Sequence, residues 1–190
     1  MPRYVFCLIK NLALSIVLTW VPVMFPSAEA GNSHLYQVVK VLDGDTFDAT
    51  DGNIRFRVRI VGMDAPEKGT PFSKLATVEL QRRIKGKKLE IRPIGTSLDR
   101  YNRILGQVIV DGRDVGIELI EMGLATYFRP GCVDYPANKR AYDYDPAPYI
   151  AAEMRAREER LYLWSDPKTV LPCRVRNNSG RAPRKIELDK

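Results

Sequence analysis

A chain of 190 residues with a formal net charge of +7, a pI near 9.4 and 45% hydrophobic residues suits one domain with a genuine core plus tails, and is short for two domains. The basic balance favours a polyanionic partner without saying which one. The single histidine, His34, lies next to the start of the exported chain proposed below, which leaves almost no material for Ser-His-Asp, Cys-His or multi-histidine zinc chemistry.

Residues 1–30 read as a signal peptide: Arg3 and Lys10 make a basic start, 11–25 is mostly apolar, and Ala28-Glu29-Ala30 supplies a small-x-small cleavage pattern. The apolar run of about 14 residues, broken by Pro22, falls short of the roughly 20 that cross a bilayer. An uncleaved anchor is the alternative. Cleavage would give a secreted or periplasmic protein with no membrane attachment. It would also remove Cys7 and leave Cys132 and Cys173 as an even pair. In an oxidising compartment these are expected to form a disulfide, worth about 4 kcal/mol in the chain-entropy model. Two free thiols, or a bridge to another chain, are the competing readings.

Residues 35–42 (LYQVVKVL) predict a strand, ended by the Asp43-Gly44 turn signal, and 46–50 a short second strand. Asp51-Gly52-Asn53 is a hairpin turn by composition. In 54–61, Ile54, Phe56, Val58 and Ile60 alternate with Arg55, Arg57 and Arg59, which is the pattern of a strand with one buried face. Pro71 opens a predicted helix with Phe72, Leu75, Ala76, Leu80 and Ile84 on one side and Gly86 at its end. Strands follow over 88–94 and 104–110. Asp114 is a plausible N-cap for a helix stopped by Gly123. A third helix is expected over about 149–163, with Ile150, Met154, Leu161 and Trp164 inward. Five short strands and about three helices suit an OB-fold, a five-stranded Greek-key barrel of the α+β kind, spanning 31–164. Residues 165–190 form a basic tail, including Lys168, Arg174, Arg176, Arg181, Arg184, Lys185 and Lys190. It either follows a phosphate backbone or stays solvated and partly disordered.

The polar residues at the strand ends are the chemical candidates. Asp45 and Asp64 offer oxygen ligands to a hard cation such as Ca²⁺. Turn chemistry accounts for each of them taken singly, and equally for Asp43. Glu67 follows the rigid Pro66 and is placed to accept a proton from water, or is an exposed loop glutamate. The planar guanidinium of Arg59 suits two phosphate oxygens at once. Arg55 and Arg57 read as solvated strand residues. Arg103 is either a second phosphate ligand or surface charge. By spacing alone none of these is decisive.

Taken together, Asp43-Gly44-Asp45-Thr46, Arg59 with Asp64-Ala65-Pro66-Glu67, and Asp99-Arg100-Tyr101-Asn102-Arg103 resemble the signature of the staphylococcal nuclease family. Gly123-Leu124-Ala125 and Leu163-Trp164 also fit its pattern, so the resemblance covers roughly 35–164. It implies an OB-fold and a Ca²⁺-dependent endonuclease acting on DNA, RNA or both and giving 3′-phosphate products. It makes Asp45, Asp64 and the carbonyl of Ala65 the ion's ligands, Glu67 the general base, and Arg59 and Arg103 the phosphate-holding arginines. Arg100 and Tyr101 fall where the family lines its nucleotide pocket. The expected state is a monomer.

The chain departs from the family after Ala125, where Thr126-Tyr127-Phe128-Arg129-Pro130 stands in a different register from the family's pocket tyrosines. In 131–148, Tyr135, Tyr142 and Tyr144 are either base-stacking residues or an ordinary surface loop. Two alternatives to the enzyme stay open, a non-catalytic OB-fold module that binds nucleic acid and an exported family member serving surface polysaccharide production.

Overall fold

The computed structural model describes residues 35–95, 98–129, 132 and 144–178. The signal-peptide reading, His34, Tyr135, Tyr142 and the tail beyond Asn178 lie outside the described residues.

Strands β1 (Leu35–Val41), β2 (Thr46–Thr50) and β3 (Arg55–Ile60) form an antiparallel meander. The β2–β3 turn works as its composition predicts. Asp51 Oδ1 accepts the backbone N–H groups of Asn53 and Ile54, each at 2.9 Å, and Gly52 takes a φ of 102° that suits glycine. Ile54 belongs to this turn and is exposed, so the buried face of β3 is Val58 and Ile60 with Phe56 partly covered.

After β4 (Met63–Asp64) and helix α1 (Ser73–Ile84), β5 (Leu89–Pro93) and β6 (Ile104–Val110) form an antiparallel pair. β5 also pairs antiparallel with β1, and β6 pairs parallel with β3, setting Val58 opposite Ile104 and Ile60 opposite Gly106. The order β3-β2-β1-β5-β6 thus closes on itself as a five-stranded barrel of mixed pairing, consistent with the OB-fold. Closure pairs backbone groups that an open sheet would leave bare along β3 and β6. Phe47, Ala49, Val58, Ile60, Leu89 and Val108 fill its interior.

Two-residue strands, which sequence patterning does not resolve, complete the frame. β7 (Arg113–Asp114) pairs antiparallel with the end of β6, and β4 pairs with β8 (Thr126–Tyr127). Helix α1 buries Ala76, Leu80 and Ile84, whereas Leu75 is exposed and Phe72 is the left-handed residue, φ 64°, from which the helix starts. Asp114 caps helix α2 (Val115–Glu121) as its position predicts, accepting from Gly116 N at 2.8 Å and Ile117 N at 3.2 Å.

Helix α3 (Ala147–Glu158) ends earlier than its sequence suggests, because Arg160 adopts a φ of 52° and a 3-10 turn over Tyr162–Trp164 follows. Its inward face is Tyr149, Ala152, Glu153 and Ala156, while Met154 is exposed. A glutamate is tolerated inward because its carboxylate accepts the Tyr127 N–H at 2.6 Å and hydrogen bonds from Arg129 and Arg157. Tyr149 donates its hydroxyl to Asp114 Oδ2 at 2.6 Å. Burial, reinforced by the Asp114 charge, pushes that phenol well above the usual tyrosine range.

The chain then forms a helix that sequence patterning does not single out, α4 (Pro172–Asn178). Cys173 near its start is bonded to Cys132, a separation of 41 residues, with the Cα atoms 5.7 Å apart.

Gly62 bridges β3 and β4 at a φ of 76°, and a Cβ there would lie 2.4 Å from the Tyr149 ring. Gly62→Ala is expected to destabilise the protein by about 2–4 kcal/mol through left-handed strain and overpacking. The urea unfolding midpoint should fall with little change in m value.

Candidate active site

The site is built where three strand ends meet. The turn entering β2 is held by Asp43 Oδ1, which accepts the Asp45 N–H at 3.2 Å. Gly44 allows close approach, since a Cβ there would sit 2.7 Å from the Ala65 Cβ and 3.0 Å from that of Ala76. Asp45 is consequently buried beside the β4–α1 connection. Its Oδ2 accepts the Ala65 N–H at 3.1 Å and Arg59 Nη1 at 2.8 Å, and its Oδ1 accepts the Thr46 hydroxyl at 2.9 Å.

Arg59 is the polar-face residue of β3 that the fold draws inward. Its Nη2 reaches Asp64 Oδ1 at 3.0 Å while Nη1 holds Asp45, so one guanidinium bridges two carboxylates. Asp64 has only 1% of its surface exposed. Burial pushes its carboxyl above the ordinary aspartate range, opposed by the charges of Arg59 and Arg176. Asp43 is also pushed up, by burial and then by the nearby Asp45 charge. Ala65 is buried next to Asp64. Glu67 is half-buried, and its carbonyl anchors the next turn by accepting from the Thr70 N–H and hydroxyl.

Arg176, on α4, is part of this cluster. Its Nη1 donates to Asp64 Oδ1 at 3.0 Å and to Glu67 Oε1 at 2.5 Å, and its Nη2 to Asp64 Oδ2 at 2.6 Å. Sequence reasoning treats Arg176 as one tail cation among several. The signal that bears on it is its position three residues after Cys173, which is bonded to Cys132.

Arg103 is fixed by a neighbouring turn. Asp99 Oδ1 accepts the N–H groups of Tyr101 and Arg103, and Asp99 Oδ2 takes Arg103 Nε at 2.9 Å and Nη2 at 2.7 Å. Burial raises the Asp99 carboxyl, but these bonds outweigh it and hold the group below the usual range. The guanidinium carbons of Arg100 and Arg103 lie 4.9 and 5.0 Å from the centroid of the exposed Tyr101 ring. Arg103 and Tyr101 line a cleft of about 390 Å³ with Leu42, Asp43, Thr46, Arg57 and Lys68. Arg103 therefore shares a cleft with the residues either side of Gly44-Asp45, but it is held by Asp99 rather than by the central carboxylates. Arg57, read from sequence as a solvated strand residue, lines that cleft and pairs with Asp48 at 2.7 Å. The alternation that sets Arg57 on the same strand face as Arg59 is the signal for it.

Asp45 and Asp64 converge on one shared cation, and their donors are oxygens throughout. That chemistry suits a hard ion completed by a backbone carbonyl and water, and suits zinc poorly. Among the described residues, no group of three or more His, Cys, Asp or Glu side chains is arranged to hold a metal.

A family model described as staphylococcal nuclease homologue matches residues 57–166. The chain is similar to an uncharacterized endonuclease of Escherichia coli, with 34% identity over 138 residues, covering 72% of this chain and 80% of that protein. It is also similar to a micrococcal nuclease of Shigella flexneri, with 30% identity over 155 residues, covering 77% of this chain and 82% of the relative. Protein ParB of Escherichia coli is 32% identical over 153 residues, which cover 76% of this chain and 80% of ParB.

Asp45→Ala should destabilise the fold by about 3 kcal/mol, because it removes a buried partner of Arg59 and leaves the Ala65 N–H without its acceptor. Chemical denaturation measures this. Asp99 gives a pH signature. Its folded-state value lies below the 3.8 of an ordinary aspartate, so its stabilisation is fully present above 3.8 and is lost as the pH falls through the folded value. Asp99→Asn should lower the melting temperature at neutral pH, and that deficit should shrink towards zero in acid.

Proposed function

The chain belongs to the staphylococcal nuclease family and is a nuclease whose substrate is nucleic acid, and from that premise we propose that it is an exported, Ca²⁺-dependent endonuclease acting on DNA, RNA or both. Asp45, Asp64 and the carbonyl of Ala65 would hold the ion. When bound, it neutralises phosphate oxygens as a Lewis acid. The observation that supports this reading most is the meeting on Arg59 of Asp45 and Asp64, the latter three residues before Glu67.

The side chains then have distinct tasks. Arg59 and Arg103 hold the oxygens of the scissile phosphate and favour the more highly charged transition state. Glu67 accepts a proton from the attacking water. Water oxygen bonds to phosphorus, the bond from phosphorus to O5′ breaks, and the departing oxygen takes up a proton. The products are a 3′-phosphate and a 5′-hydroxyl. Arg100 and Tyr101 contact the nucleotide, and the exposed Tyr101 ring offers a face for stacking. The protein works as a monomer.

Export is supported by the Cys132–Cys173 disulfide, since such bonds persist in oxidising compartments. Among the described residues, no helix is long and apolar enough to cross a membrane.

Purified protein should cleave single-stranded DNA or RNA with Ca²⁺ and stop when the ion is chelated. Glu67→Gln should lose about 10²–10⁴-fold in rate while still binding the strand. Full activity in that variant would overturn the mechanism, and binding without cleavage by the parent protein would favour a binding module.

A further inference from the structure

Arg176 occupies the ground that the proposed chemistry needs. Both oxygens of Asp64 are taken: Oδ1 accepts from Arg59 Nη2 and Arg176 Nη1, each at 3.0 Å, and Oδ2 accepts from Arg176 Nη2 at 2.6 Å. The same guanidinium holds Glu67 Oε1 at 2.5 Å. One planar cation thus covers a carboxylate read as a metal ligand and the carboxylate read as the base. While this fork is seated, a metal ion has to compete with it for Asp64, and Glu67 Oε1 is paired to a cation instead of to water.

We propose that α4 is an autoinhibitory latch, in which Arg176 competes with the metal ion for Asp64 and holds Glu67 idle until it is displaced. The inference rests on the metal reading of Asp64 given above. Three features of the chain favour a latch over a permanent strut. The contact uses the end of a long side chain on a seven-residue helix, and 30% of that side chain is exposed, so it leaves without opening the barrel. The family match, over residues 57–166, does not extend to α4. The helix is also tethered next to the site. The Cys132–Cys173 bond lies three residues from Arg176, which keeps the guanidinium at high effective concentration whether seated or released.

The cost to metal affinity follows from population. A latch closed in roughly nine molecules of ten raises the apparent Kd for the ion about tenfold over that of the open form. Substrate phosphates, which carry the charge that a released guanidinium seeks, would favour the open form together with the ion.

The test is Ca²⁺ binding to the purified protein by calorimetry in the absence of nucleic acid. Arg176→Gln should bind Ca²⁺ about tenfold more tightly than the parent. Arg174→Gln, an exposed position on the same helix, should bind like the parent and so controls for net charge. The double variant Cys132→Ser/Cys173→Ser, which frees α4 without touching the site, should shift the affinity in the same direction as Arg176→Gln. Circular dichroism establishes that each variant is folded. Equal affinity in the parent and Arg176→Gln overturns the latch while leaving the metal reading intact. No Ca²⁺ binding by any folded variant overturns the metal reading on which the latch rests. Unchanged Ca²⁺ affinity, with weaker binding of single-stranded DNA in a separate titration of Arg176→Gln, also overturns the latch and makes Arg176 a substrate-holding residue.

Discussion

A carboxylate buried as deeply as Asp64 keeps its charge only if cations are brought to it, and much of this structure is the means of bringing them. Arg59 comes from the preceding strand, and through it Asp45 is tied to the same point. The arrangement is ordered rather than merely neutral. One guanidinium spans two carboxylates, Asp45 before β2 and Asp64 in β4, fixing their separation. A pair of carboxylates so fixed is suited to a cation, and removing either would leave Arg59 short of a partner in a covered position.

The elements that hold Asp64 form a chain of dependence outward. β4 exists as a strand because β8 lies beside it, setting Asp64 opposite Thr126, and Phe128 donates its N–H to the Gly62 carbonyl at 3.0 Å. β8 in turn is held by Glu153 of α3, through the Tyr127 N–H. The inward glutamate that breaks the apolar pattern of α3 is thus what connects that helix to the site. Tyr149 of the same helix packs against Gly62 and is tied to Asp114, the cap of α2. Barrel, helices and short strands meet around the short strand that carries Asp64.

Two basic groups approach the site from different parts of the chain and are restrained differently. Arg103 is pinned by Asp99 within its own turn and faces a cleft shared with Asp43 and Thr46. Arg176 reaches the site from α4 and places its guanidinium on Asp64 and Glu67. A locally pinned arginine is preorganised for an anion arriving from solvent. An arginine seated on the site's own carboxylates competes there with any other cation. The same residue type therefore plays opposite electrostatic parts a short distance apart.

Much of the barrel was legible from sequence because strand alternation, Asp-Gly turns and an N-capping aspartate are local signals, decided within a few residues. The polar motifs around Asp45, Arg59, Asp64, Glu67 and Arg103 were legible for the same reason, as types at intervals. What local patterning could not supply is pairing. Two-residue strands such as β4 and β8 carry no periodicity, and Glu153 reads as a surface residue until Tyr127 and Arg129 are placed beside it. Met154 and Leu75 look like core by type but lie exposed, since burial depends on which neighbours arrive. Arg176 is the extreme case. Its contacts with Asp64 and Glu67 span more than a hundred residues of chain, and its helix is bonded to Cys132 through Cys173. The sequence by itself determined that carboxylates and arginines stand at the strand ends of a small barrel. Only the tertiary structure decided that a tail arginine sits upon the central carboxylate, because charge pairing across so long a separation is set by closure of the fold rather than by any repeat along the chain.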